Sequence, residues 1–140
     1  MKKTLAMFTG MVAALGLSAA LVAQQSAAPE GAQVYIVTPA NGATVDRTFK
    51  VVFGLSGMGV APAGVERENT GHHHLLVDKD TPTDMSQPLG GDVLHFGMGQ
   101  TETTLTLEPG THTLQLVLGD HLHIPHNPPV MSEKITVTVR

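Results

Sequence analysis

The stretch "TTLTLEPGTHTLQLVLGD", Thr103 to Asp120, decides the fold. Leu105 and Leu107, then Leu114, Leu116 and Leu118, alternate with polar residues, which is the two-residue period of strands with one buried face. Glu108, Pro109 and Gly110 supply the turn between them. Outward from this pair the same pattern recurs. Ile135, Val137 and Val139 alternate with threonines, and "AQVYIVTP", "FKVVFGL", "HHHLLVD" and "DVLHF" are short apolar or β-branched runs bounded by Gly, Pro, Asn or Asp. After the first thirty residues no window longer than about ten shows a helical apolar repeat.

These segments predict strands over 33–38, 49–55, 72–78, 92–96, 103–107, 112–119 and 133–140. About seven short strands in a chain of this size imply an all-β fold, an immunoglobulin-like antiparallel β-sandwich. In that order 72–78 and 112–119 are sheet neighbours, while 92–96 belongs to the opposite sheet. The aromatic residues after the leader, Tyr35, Phe49, Phe53 and Phe96, are expected in the core.

The N-terminus is a different kind of sequence. Lys2 and Lys3 precede an apolar, small-residue run from Leu5 to Val22, the pattern of a secretory signal. We read 1–28 as signal peptide and short linker, with cleavage after Ala20, Ala23 or Ala28, and 29–140 as one domain. The run is short for a spanning helix and nothing later is apolar enough, so no membrane span is expected in the mature chain, which would be periplasmic or secreted. The chain has no cysteine, so neither disulfides nor a lipid-bearing cysteine contributes. Eight basic residues less Lys2 and Lys3 leave six against twelve acidic ones, which disfavours nucleic acid as a partner.

Chemistry concentrates in histidine, of which there are eight. Strand reversal brings the start of 72–78, the end of 92–96 and the segment after 112–119 to one end of the sandwich. That end gathers His72, His73, His74, His95, His121, His123 and His126, and leaves His112, read as structural, at the other. Side-chain alternation puts His72 and His74 on one face and His73 on the other with Leu75 and Val77. Either the pair or His73 alone is expected to face the segment "GDHLHIPHNPPVMS". His95, taken to lie in the opposite sheet about 10 Å away, needs loop curvature to join. Pro125, Pro128 and Pro129 stiffen the chain around His126, and Asp120 can ligate or orient a ring.

Imidazoles without thiolates suit copper, zinc, nickel or iron. Met58, Met98 and Met131 lie near histidines in sequence and tilt the choice towards copper, with zinc second, although methionine is more often a filler of apolar gaps. The metal candidates are His72, His74, His123 and His126, followed by His73, His95, His121 and Asp120. The expected role is sequestration or delivery, with a metal ion and a periplasmic protein as partners. The alternative is a non-catalytic accessory or adhesion domain whose histidines bond to Asp120, Asp92 or Asp78 or sense external pH. No nucleophile elbow, phosphate loop or zinc-protease helix is present, so no enzyme is expected.

"FGLSGMGVAPAG", "TGHHHLLVD", "LHFGMGQTETTLTLEPGTHTLQLVLGD" and "HIPHNPPVMSEKITVTV" resemble the exported bacterial domains of the family domain of unknown function 4399, from about Val34 to Val139. The resemblance implies export and family histidines at His72, His73, His74, His95, His112, His123 and His126, with His121 a local addition.

Overall fold

The computed structural model describes residues 24–140, so the signal assigned to the N-terminus lies outside the described residues up to position 23. Nine strands follow: β1 Gln33–Thr38, β2 Thr44–Val45, β3 Thr48–Ser56, β4 Gly59–Val60, β5 Thr70–Val77, β6 Leu94–His95, β7 Glu102–Thr106, β8 Gly110–Gly119 and β9 Ile135–Val139. They form two sheets, β1-β3-β7 and β2-β9-β8-β5-β4, with β6 on β5. Among the described residues no helix is long and apolar enough to cross a membrane. The fold is an all-β, immunoglobulin-like sandwich, its principal strands antiparallel and its short β2 and β4 pairing parallel to β9 and β5.

The alternation in 103–120 works as expected. Leu105, Leu114, Leu116 and Leu118 meet Val34, Val51, Phe53, Leu75, Ile135 and Val137 in the inter-sheet core. Each such side chain removed from water contributes roughly 1.5–3 kcal/mol. Phe49 packs at the core margin, but Tyr35 does not belong to it. Its ring covers Gly54 from outside and stays half exposed, because Gly54 has no side chain to hold it off.

One strand is placed differently from the sequence expectation. The segment expected over 92–96 shortens to β6 and pairs antiparallel with β5, His74 opposite His95 and Leu75 opposite Leu94, in the same sheet rather than across the core. The physical reason is a small apolar cluster on the outer face of that sheet, where Val93 and Leu89 pack on Leu76 and Val117. Covering that patch draws the 79–93 connection back over β5. His95 therefore arrives as a direct neighbour of His74, without the loop curvature invoked above.

Candidate metal centre

β5 and β8 are paired in the register His72 to Gly119, His73 to Leu118 and His74 to Val117. Alternation splits the three histidines. His73 turns inward and stacks on Phe53, ring centroids 5.1 Å apart, while His72 and His74 lie on the outer face with their rings 4.6 Å apart. The outer pair is the one that meets the segment after β8. β6 brings His95 beside them, and His123 comes from the turn after Gly119, a residue held at φ 66°.

His72, His74, His95 and His123 each offer a ring nitrogen, and these atoms lie within 4.8 Å of one another. His72 Nε2 is 3.0 Å from His123 Nδ1 and 3.1 Å from His95 Nε2. A neutral imidazole has one N–H and one lone pair, so His72 Nε2 cannot satisfy both neighbours and its own Nδ1 with a single proton. Indeed His72 Nδ1 and His74 Nδ1 are buried without a hydrogen-bond partner. Such groups are costly to leave unpaired. No carboxylate belongs to the group.

Burial first, and then the mutual repulsion of neighbouring imidazolium charges, favour the neutral form of His72, His74 and His95. His72 is lowered to about 4 by desolvation, then by His123 and His95, and His74 to about 3 by desolvation, then by His72, His95 and His123. His95 is lowered in the same way. At neutral pH the lone pairs of these three rings are free of competing protons, which is the state a metal requires. His72 is fully buried, and His74, His95 and His123 line a cleft of about 250 Å³ together with Leu89, Gly90, Gly91 and Val93.

Two glycines make the packing possible. A Cβ on Gly119 would come 2.6 Å from His74 Cε1, and one on Gly97 would overlap the His95 ring. Sequence reasoning singled out the histidines but not these glycines. The signal was present in "LGD" and "GMG", where a glycine stands one or two residues from a cluster-forming segment.

The other sequence candidates lie outside the group. His73 faces the core with both ring nitrogens unpartnered, and burial lowers it to about 4. His126, ranked among the first four, is 1% exposed and directed elsewhere: its Nε2 donates to the Thr70 carbonyl at 3.1 Å, and its Cε1 lies only 2.9 Å from where a Gly71 Cβ would be. Pro125 and its neighbours hold that ring against backbone, not towards His72. His121 lines a separate cleft with Asp120, Glu66 and Glu68. Asp120 is not among the clustered ligand atoms. Its Oδ1 accepts the amides of Leu122 and Ile124, at 2.9 and 3.0 Å, and its Oδ2 accepts the Ser26 hydroxyl at 2.8 Å. Met58 packs on the core margin, whereas Met98 and Met131 are exposed, and the atoms that define the cluster are histidine ring nitrogens.

The fold and site together define a β-sandwich protein with a four-imidazole cluster at one pole. The chain belongs to the family described as Domain of unknown function (DUF4399), whose profile matches residues 51–140. No curated protein matches it. A solved structure titled "Structures of Clostridium thermocellum CbhA fibronectin(III)-like modules" is similar at 14% identity and a TM-score of 0.40, over 76% of this chain and 93% of that one.

Proposed function

We propose that this is an exported, non-catalytic protein whose cluster of His72, His74, His95 and His123 binds one transition-metal ion, copper before zinc, for sequestration or delivery. The observation that carries the reading is the convergence of two ring nitrogens, from His123 and His95, on His72 Nε2 at 3.0 and 3.1 Å, with no carboxylate in the group to accept their protons. A shared cation at that point would satisfy lone pairs that hydrogen bonds cannot. Four neutral nitrogen donors favour copper(II) over zinc by the ordinary order of divalent affinities. Two buried and two more accessible ligands suit an ion that enters and leaves through the cleft. Export rests on the signal-like N-terminus.

The test is a competition titration of the untagged protein with Cu(II), Cu(I) and Zn(II) against a chelator of known affinity. Saturable binding of one equivalent, tighter than about micromolar and weakened in His72→Ala and His123→Ala, is the expected result. Loose binding unchanged by either substitution would contradict it.

A second reading, an accessory domain whose histidines form a structural network, is favoured by His126, with its bond to Thr70, and by His112, with its bonds to Asp78 and Glu108. It predicts that His126→Ala lowers metal-free stability by roughly 1–3 kcal/mol through the unpaired carbonyl and lost packing, and that cluster substitutions do so without affecting any metal.

A further inference from the structure

His123 reaches His72 only because its backbone is held in the left-handed region, which residues other than glycine rarely adopt. What holds it is a closed turn built on Asp120. Besides the two amides on Asp120 Oδ1, the Asp120 amide donates to the Ile124 carbonyl and the His123 amide to the Asp120 carbonyl, each at 2.9 Å. The carboxylate is 2% exposed, and its second oxygen takes its bond from Ser26. Ser26 lies in the segment that the sequence grouped with the signal and linker.

That segment is tied into the fold on both sides of the site. The Asn127 amide donates to the Ser26 carbonyl at 2.9 Å and the Ala28 amide to the Asn127 carbonyl at 3.1 Å, a short parallel bridge along the far end of the His123 turn. Gln25 Nε2 donates to the Pro125 carbonyl at 3.0 Å and to the Met85 carbonyl at 2.7 Å. It thus links the His123 turn to the 79–93 connection, whose Leu89 amide in turn donates to the His123 carbonyl at 2.9 Å. Four hydrogen bonds to the 120–127 segment therefore involve residues before Pro29.

We infer that Gln25–Ala28 is a positioning element of the metal centre, with Ser26 and Asp120 holding His123 within reach of His72, and that signal processing leaves this segment on the mature chain. Cleavage after Ala20 or Ala23 retains it, and cleavage after Ala28 removes it. The inference rests on the metal reading for its function but on hydrogen bonds alone for its geometry. Without Ser26, Asp120 Oδ2 is buried without a donor, the turn relaxes, and His123 swings out of the donor set.

The experiment compares the chain starting at Gln24 with the chain starting at Pro29, and with Ser26→Ala and Ser26→Thr in the longer chain. Each is loaded with Cu(II) and read by the nitrogen hyperfine pattern of its electron paramagnetic resonance, alongside ring-to-ring NOEs between His72 and His123 without metal. The Gln24 chain and Ser26→Thr are expected to show four nitrogen donors and intact NOEs. Ser26→Ala and the Pro29 chain should lose one donor, the NOEs and about 10- to 100-fold in affinity, the range for groups that orient ligands. Four donors and intact NOEs in Ser26→Ala would overturn the inference while leaving the metal reading standing. Absence of binding in the Gln24 chain would remove the metal reading, and the NOEs would then decide the positioning role alone. Intact-mass measurement of the exported protein should give an N-terminus at Leu21 or Gln24, and one at Pro29 would contradict the proposal.

Discussion

The two poles of the sandwich push the protonation of histidine in opposite directions. At one, His112 Nδ1 donates to Asp78 Oδ2 at 2.6 Å and Nε2 to the Glu108 carbonyl at 2.8 Å, so both nitrogens face acceptors and the proton is favoured. The bond to Asp78, then that to Glu108, raises its pKa. At the other pole His72, His74 and His95 face one another and His123, and all three are pushed down. The residue type is the same, but the chemistry of its neighbours reverses. A histidine with an acceptor at each nitrogen is steered towards its protonated form, and buried histidines that face one another are steered towards the neutral form that a shared cation could use.

That contrast breaks most visibly on metal affinity. His72→Ala is expected to weaken Cu(II) binding by at least roughly 100-fold, beyond the usual effect of outer groups, whereas His112→Ala changes it less than about threefold. Chelator competition on the two variants checks both. Equal losses would show that the poles do not differ.

A second expectation concerns the space rather than the ligands. Gly119→Ala places a Cβ 2.6 Å from His74 Cε1 at the end of β8, where the His123 backbone closes the other side at 3.3 Å. Overpacking of this kind costs about 1–3 kcal/mol, so thermal denaturation should show a lowered Tm, with metal affinity falling too. Gly110→Ala, at the His112 pole where a Cβ meets nothing within 4 Å, carries only the strain of its φ of 139° and should leave affinity unchanged.

The poles also respond to pH with opposite sign. His72 and His74 take up a proton near 6.5 when unfolded but only at about 4 and about 3 when folded, so their contribution is fully present above about pH 6.5 and lost as pH falls through 4 and 3. Metal-free denaturant midpoints should drop steadily across that window, and His72→Gln should flatten the slope. The His112 pair acts the other way: its raised folded value gives stability present below 6.5 and lost as pH rises through that value. The effect is small, within about 1 kcal/mol for a pair near the surface. His112→Gln should therefore destabilise more at pH 6 than at pH 9.

Much of this was legible in the sequence because strand alternation reports both burial and direction. The leucines of 105–118 gave the core, and the same two-residue period separated His73 from His72 and His74. His95 was harder to place, since pairing within a sheet depends on Val93 and Leu89 covering Leu76 and Val117, contacts between segments that no local pattern records. His126 misled for a related reason. Prolines around it announce stiffness but not direction, and the ring is stiffened onto Thr70. Ser26 was hidden by composition, standing among the small residues that also mark a signal's end.

X-ray absorption at the copper edge, on protein loaded with one equivalent, tests the central claim most directly. The account predicts four imidazole nitrogens at about 2.0 Å, reduced to three in His123→Ala and unchanged in His112→Ala. Two or fewer imidazoles in the parent protein, or a spectrum indifferent to His123, would contradict it.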